Sequence, residues 1–88
     1  MNVEQASKLI LRPYVTEKTF VLIEKDNKLV FIVHDKADKK SIMEALKILY
    51  NVEPGEVNTA RTIYGKKAFV RMKKDGAARD LATKLGLV

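Results

Sequence analysis

An α+β fold in a single domain, residues 1–88, is the architecture this chain predicts, with a four-stranded antiparallel sheet and helices packed on it. The length suffices for one small domain, and the absence of cysteine leaves apolar packing as the source of stability. Two pairs of apolar, β-forming segments are each interrupted by turn-forming residues. Two further stretches repeat apolar residues at helical spacing, which gives the order β-β-α-β-β-α.

The first third of the chain predicts a short helix followed by a β-hairpin. The stretch Val3–Leu11 is amphipathic, and a helix there should stop at Arg12, because the residue before a proline is displaced from helical geometry. Thr19–Lys25 and Lys28–His34 are rich in β-forming residues, and Asp26-Asn27 between them suits a two-residue turn. Both faces of this hairpin are apolar, so it needs cover on both sides.

The middle of the chain predicts a long helix ending at about Tyr50. Asp38 is a plausible N-cap, but Ser41 with Glu44 also fits a capping box, which leaves the start uncertain by three residues. Pro54-Gly55 then closes the turn into the next strand.

The last third predicts a second hairpin and a final helix. Val57–Tyr64 and Lys67–Lys73 form strands around Gly65-Lys66, Asp75 caps the helix, and Gly86 ends it. The apolar stripe of that helix consists of Ala77, Ala78, Leu81, Ala82 and Leu85. A right-handed crossover through the first long helix would place the fourth strand between the second and the third.

The predicted turn of the second hairpin divides its side chains between two faces. Because it pairs Tyr64 with Lys67, the face intended for the core carries Val57, Ile63, Ala68, Val70 and Met72. The other face interleaves rings with cations and amides, which suits RNA: Asn58, Thr62, Tyr64, Lys67, Phe69, Arg71 and Lys73. The alternatives are ordinary sheet packing for the rings and a solvated surface for the cations. A three-residue turn would exchange the two faces.

The charge points to a polyanionic partner met mainly by the C-terminal third. Residues 1–56 hold nine basic and nine acidic groups, whereas residues 57–88 hold eight basic and two acidic groups, so the second part carries the whole net charge of +6. Nucleic acid is the partner that such an asymmetry favours, and a solvated basic surface or an anionic membrane is the alternative.

Catalysis, metal binding and membrane insertion are poorly supported. His34 is the one histidine, no spacing brings two carboxylates together, and neither a phosphate-binding glycine loop nor a set of metal ligands is present. We therefore expect no enzyme activity, no cofactor and no small-molecule substrate. The longest apolar run, Leu29–Val33, is far shorter than a membrane span, and Leu9–Leu11 is too short for a signal peptide. We expect a soluble intracellular domain.

Three segments in register resemble one family. They are 12–19 (RPYVTEKT), 35–42 (DKADKKSI), and 57–59 (VNT) followed by 65–68 (GKKA). Each motif is weak alone, but in this order and spacing, from about Lys8 to Val88, the chain is similar to large-subunit ribosomal protein L-twenty-three, in its lean archaeal form.

The resemblance implies a structural protein of the cytoplasmic ribosome beside the mouth of the nascent-chain exit tunnel. It implies direct binding to the third domain of the large-subunit (23S) rRNA and a neighbour, ribosomal protein L-twenty-nine. It also implies visiting factors: the signal recognition particle, the nascent-chain-associated complex and the protein-conducting channel. Thr16-Glu17-Lys18 matches the family's docking site, so factor docking is carried over to Glu17. The long loop that bacterial members extend toward the tunnel wall is replaced here by Gly65-Lys66. We expect no homo-oligomer and no membrane insertion.

The predicted RNA contacts fall into two sets. Sugar or base contacts are assigned to Asn58, Thr59 and Tyr64. Phosphate contacts are assigned to Lys8, Arg12, Lys18, Lys36, Lys40, Lys66, Lys67, Arg71 and Lys73. The main alternative is an RNA-binding module that acts away from the ribosome, which would be recovered free or with small RNAs. The other is a small phosphate-binding enzyme, against which the lack of a nucleophile argues.

Overall fold

The computed structural model describes residues 1–87, which form four helices and four strands. In chain order these are α1 (Val3–Leu9), β1 (Ile10–Pro13), α2 (Glu17–Asp26), β2 (Lys28–Val33), α3 (Lys39–Tyr50), β3 (Pro54–Thr62), β4 (Gly65–Met72) and α4 (Ala77–Lys84). The strands make one antiparallel sheet in the order β1-β2-β4-β3. The α+β class and the four-stranded antiparallel sheet are thus confirmed, including the last strand lying between the second and the third.

The predicted first hairpin is wrong, because Thr19–Lys25 lies inside α2. The capping box of α2 joins Thr16 and Thr19: the Thr16 N–H donates to Thr19 Oγ1 at 2.7 Å, and the Thr19 N–H donates to Thr16 Oγ1 at 3.3 Å. The supposed turn residue Asn27 ends the helix in the left-handed conformation, with φ of 54°. Thr19 and Ile23 are buried on one side of this helix while Phe20 and Val21 are exposed, which is a helical rather than an alternating pattern.

One of the two neighbours of β2 is β1, a strand that was not predicted from the sequence. Helix α1 ends at Leu9 rather than Leu11, and β1 follows at once, pairing Ile10 with Val33 and Arg12 with Ile32. An irregularity between Ile10 and Arg12 leaves Leu11 exposed.

The core lies between one face of the sheet and helices α1, α3 and α4, and it also includes Ile23 of α2. Leu29, Phe31 and Val33 of β2 point into it, together with Ile42 and Leu46 of α3. From the neighbouring elements it receives Val57, Ala68, Val70, Met72, Ala78, Leu81 and Ala82. The side chains of β2 that point to the opposite face, Val30 and Ile32, are buried as well. The expectation that this strand needs cover on both sides is therefore correct, and the cover is supplied within the chain.

The start of α3 agrees with one of the two predicted N-caps, whereas the predicted N-cap of α4 is wrong. Asp38 is the N-cap of α3, and Ser41 completes its capping box. Hydrogen bonds from the backbone N–H and the hydroxyl of Ser41 hold the pKa of Asp38 below its usual value. Asp75 does not cap α4: the N-cap is Gly76, and the Ala78 N–H donates instead to Asn27 Oδ1 at 2.9 Å.

The C-terminal end of α4 is as predicted. Gly86 has φ of 74°, its N–H donates to the Thr83 carbonyl at 3.1 Å, and the Leu87 N–H donates to the Ala82 carbonyl at 2.9 Å. This pair of bonds is a Schellman motif, which glycine favours at the left-handed position.

The second hairpin turns at Ile63-Tyr64 rather than at the predicted Gly65-Lys66. Thr62 pairs with Gly65, and Val57 pairs with Val70. Ile63, predicted for the core face, therefore stands in the turn and is 93% exposed. The shift moves each partner by an even number of residues, so the two faces are otherwise divided as predicted. The core side carries Val57, Ala68, Val70 and Met72, all buried.

Candidate nucleic-acid interface

Four cations lie on the sheet face opposite the core, in two rows across the strands. In an antiparallel sheet directly paired residues share a face. Arg12 opposes Ile32, which opposes Lys67, and Lys28 opposes Arg71. The basic face, as we call it, consists of Arg12, Lys28, Lys67 and Arg71 with Asn58, which opposes Phe69. It also carries one acid, Glu56, which opposes Arg71 and accepts a hydrogen bond from the Asn58 amide at 3.3 Å.

The basic face is covered on the β2 side and open on the β3 side. Tyr14 donates its N–H to the Val30 carbonyl at 2.8 Å, which fixes the segment that leads into α2 beside β2. A groove separates this segment and the first turns of α2 from β4. Its lining residues are Tyr14, Thr16, Glu17, Lys18, Thr19, Leu22, Lys67 and Phe69. On β3, Asn58, Ala60 and Thr62 are exposed. A linear anion could therefore lie along β3 and β4 without displacing any part of the fold.

Lys67 is held against two aromatic rings at one end of this face. Its Nζ lies 3.9 Å from the centre of the Tyr14 ring and 5.5 Å from the centre of the Tyr64 ring. Both distances are within the range of a cation–π interaction. Lys67, a half-buried residue, thus keeps its ammonium group in a defined position without a carboxylate partner.

The cations of the basic face are free of intramolecular ion pairs. Within residues 1–87, the four ion pairs are Met1 N-terminus–Glu44, Lys8–Glu4, Arg61–Asp35 and Arg79–Glu24. None includes Arg12, Lys28, Lys67 or Arg71. These cations have no intramolecular ion pair to break when a phosphate approaches, so they are suited to bind an external polyanion.

Several predicted contacts lie elsewhere. Lys66 is on the core side of β4, where its Nζ donates to the Ala37 carbonyl at 2.6 Å and to the Asp35 carbonyl at 3.4 Å. Its neighbour across the hairpin, Arg61, bonds Asp35 as well, at 3.1 Å. Both cations therefore hold the loop that leads into α3. Thr59 shares the same side, since it opposes the buried Ala68.

The remaining predicted cations are exposed around the molecule. Lys36 and Lys40 flank the start of α3, Lys18 lines the groove, and Lys73 follows the end of β4. Lys8, in the last turn of α1, lies 4.0 Å from Glu4. The structure thus groups Arg12, Asn58, Lys67 and Arg71 on one face, with Tyr64 at its hairpin end and Lys18 beside it, and leaves the other predicted contacts apart.

Two residues, Lys28 on the basic face and Tyr14 in the groove beside it, were not among the contacts predicted from the sequence. Lys28 could be placed only through its pairing with Arg71, which depends on knowing that β2 neighbours β4. Tyr14 immediately follows Pro13, and its ring approaches Tyr64 and Lys67 only because β1 lies beside β2. Nothing local in the sequence signals either contact.

A second surface adjoins the groove at the start of α2. Val15, Phe20 and Val21 are exposed apolar residues that line a shallow depression with Thr16 and Glu17. We call these five residues the α2 patch. Glu17 occupies the first turn of α2, where a carboxylate is favoured by the helix dipole.

Other kinds of site find little support among the described residues. Residues 1–87 contain no group of three or more side chains able to hold a metal ion. The helices in that range are also too short or too polar to cross a bilayer. His34 Nδ1 accepts a hydrogen bond from the Lys36 N–H at 3.1 Å, a role in the turn after β2.

Comparison with known proteins places the chain among ribosomal proteins. Residues 8–84 match the family model described as "Ribosomal protein L23". The chain is 48% identical to the large ribosomal subunit protein uL23 of Methanococcus vannielii and 40% identical to that of Methanothermobacter thermautotrophicus. Each alignment covers 90% of this chain and 93% of the relative. The large ribosomal subunit protein uL23A of Schizosaccharomyces pombe is 45% identical, over 92% of this chain and 58% of the relative.

Proposed function

The chain belongs to the ribosomal protein L-twenty-three family, and from that premise we propose that it is a structural constituent of the large subunit of the cytoplasmic ribosome and binds the subunit's rRNA directly. Members of this family are structural components and not enzymes. The observation that carries the RNA-binding part is the basic face, where Arg12, Lys28, Lys67 and Arg71 share one side of the sheet without intramolecular ion pairs.

The chemistry of the basic face is appropriate for RNA. Its cations stand on strands, so the sheet sets the spacing of their backbone positions and only the side chains need to be ordered on binding. Asn58 adds an amide on the open β3 side, where sugar hydroxyls and base edges could be reached. We propose that the target is the third domain of the large-subunit rRNA, as the family resemblance implies. Lys8, Lys18, Lys36, Lys40 and Lys73 would then be peripheral phosphate contacts.

Two residues of the predicted contact set receive a different role in this proposal. Lys66 and Thr59 lie on the core side of the hairpin, and Lys66 is engaged by two carbonyls. We propose that Lys66 acts on RNA binding through the loop at residues 35–37, whose position determines where Lys36 stands. A free-standing RNA-binding module, the main alternative, is not favoured by any observation.

Substitution of the two β4 cations tests the RNA-binding face. Lys67→Gln with Arg71→Gln removes two charges while keeping long polar side chains, so the fold should be preserved. If each cation meets one phosphate, the slope of log affinity against log salt should fall by about one for each phosphate that the variant no longer neutralises. Binding to a third-domain rRNA fragment would be measured over a salt series.

The matched control is Lys47→Gln with Lys84→Gln, which removes the same charge from the exposed last turns of α3 and α4. We expect it to bind almost as the wild type does. If both double variants weaken binding equally, only the overall charge matters, and the assignment of this face is wrong.

The α2 patch is our proposed docking site for factors that receive the emerging chain, with Glu17 as the acidic contact. Exposed Val15, Phe20 and Val21 beside a carboxylate offer an apolar surface with one charge to orient a basic partner. By family resemblance the visitors are the signal recognition particle, the nascent-chain-associated complex and the protein-conducting channel. The neighbouring ribosomal protein L-twenty-nine is proposed on the same basis.

Ribosomes that carry Glu17→Ala test the docking proposal. Co-sedimentation of the signal recognition particle should fall, while incorporation of the variant into large subunits should stay unchanged because Glu17 is outside the basic face. Glu53→Ala, an exposed acid preceding β3, is the control. Undiminished recruitment by Glu17→Ala ribosomes would show that the docking role does not belong to this residue.

A further inference from the structure

The tip of the β3–β4 hairpin presents apolar surface that the phosphate contacts leave unexplained. Ile63 is 93% exposed and Tyr64 is 59% exposed. These are the two turn residues, a position where polar residues and glycine are the usual choice. Large apolar side chains placed together at an exposed turn indicate that the turn meets a partner.

The backbone of Tyr64 is held in the turn, and its ring packs against two other side chains. In the turn, its N–H donates to Thr62 Oγ1 at 3.2 Å, and that hydroxyl donates to the Gly65 carbonyl at 2.8 Å. From the side, the Tyr14 ring lies 6.1 Å away with a tilt of 36°, and Lys67 Nζ approaches both rings. Tyr14 itself is anchored by its hydrogen bond to Val30. The Tyr64 side chain is therefore positioned by Tyr14 and Lys67, while the residue stays 59% exposed.

We infer that Tyr64, supported by Tyr14 and Lys67, is a stacking platform for one unpaired nucleobase. This inference rests on the proposed RNA-binding function and adds the class of RNA element that the tip would take. The bases of an A-form helix are stacked on one another, so an aromatic platform can engage only a base in a loop, a bulge or a single strand. The basic face would then bind backbone phosphates while its hairpin end captures a base.

The neighbouring charges favour RNA over a protein partner at the tip. Lys67 stands directly behind the platform, and Arg12 lies on the same face in the same cross-sheet row, through Ile32. Two cations beside an aromatic face match a base together with its flanking phosphates. An apolar peptide would gain nothing from them.

The test uses a short single-stranded oligoribonucleotide carrying 2-aminopurine, whose fluorescence is quenched by stacking, and a duplex of the same sequence. Tyr64→Ala should lower affinity for the single strand by about 5- to 150-fold, the usual range for removing one base–aromatic stack. It should abolish quenching and leave affinity for the duplex unchanged. Tyr64→Phe should restore both affinity and quenching, since the ring alone is needed. Ile63→Ala is a neighbouring control for the integrity of the turn.

The outcomes separate this inference from the function on which it rests. If the wild type binds both RNAs in a salt-dependent manner but Tyr64→Ala behaves like it, the platform is refuted while the RNA-binding role stands. Equal losses for the single strand and the duplex would also refute stacking. If the wild type shows no salt-dependent binding to these RNAs or to the third-domain rRNA fragment, the proposed function fails and the inference fails with it. Circular dichroism of Tyr64→Ala should match the wild type, because the side chain is outside the core.

Discussion

At the scale of single residues, Asn27 connects more of the molecule than any prediction from sequence suggested. Its backbone takes the left-handed conformation between α2 and β2, and its carbonyl accepts the Met72 N–H at 3.0 Å. Its side-chain amide donates to the carbonyls of Met72 at 3.2 Å and Lys74 at 2.8 Å, and its oxygen accepts the Ala78 N–H. One asparagine thus ties the end of α2 to the end of β4 and the start of α4.

Replacing Asn27 by alanine removes three side-chain hydrogen bonds and should cost roughly 4 kcal/mol of unfolding free energy. About 1 kcal/mol or more comes from forcing an alanine into the left-handed region, and about 1 kcal/mol from each side-chain hydrogen bond removed. Urea unfolding of the isolated protein measures the difference. Asn51→Ala is a matched control, since Asn51 has the same φ of 54° at the end of α3. Equal costs for the two variants would show that the side-chain bonds of Asn27 contribute nothing.

For single residues, the sequence predicted which side chains carry charge, but it predicted less well which groups those side chains contact. Lys67 and Arg71 lie on the face predicted for them, because alternation along a strand survives an even error in register. Lys66 is a neighbour of Lys67 in sequence and points the other way, into the carbonyls of the loop before α3. Whether a lysine meets solvent or a carbonyl depends on what the rest of the chain brings to it, which composition does not contain.

At the scale of elements, the sequence predicted those with strong local signals and failed where local and tertiary preferences conflict. Helix α3 has a capping residue and a full apolar stripe, and it begins where Asp38 indicated. The segment Phe20–Ile23 is a run of β-forming residues that lies inside a helix, because Thr16 caps it and only one side of it meets the core. The capping box was not recognisable beforehand, because Thr19 stands where the usual sequence signature has Glu or Gln.

The missing first strand follows from that error. Once residues 19–25 are helical, β2 needs another neighbour, and the four residues of β1 supply it. A strand this short directly after a helix carries no detectable period of its own.

The turn of the second hairpin was placed wrongly because glycine was taken as a turn residue. Gly65, with φ of 114°, stands immediately after the turn rather than in it.

At the scale of the whole molecule, the fold places part of the excess positive charge on one face of the sheet. The fold uses some of its cations internally: Arg61 and Arg79 are paired with acids, and Lys66 bonds two carbonyls. The cations left free include those of the basic face, while the α2 patch adjoins the groove beside it through Thr16 and Glu17. In this account the chain binds rRNA with one sheet face and presents an adjacent surface to visiting factors.

The measurement that tests this account most directly is competitive binding of the purified protein to a third-domain fragment of the large-subunit rRNA against an unrelated RNA of equal length, over a salt series. By analogy with duplex DNA, engagement of about 6–10 phosphates should lower affinity by about 10³–10⁵-fold between roughly 50 and 200 mM salt. We predict that preference for the ribosomal fragment persists at the high-salt end, since a shaped site contributes beyond charge. Equal affinity for the two RNAs at every salt concentration would contradict a specific rRNA site on this protein.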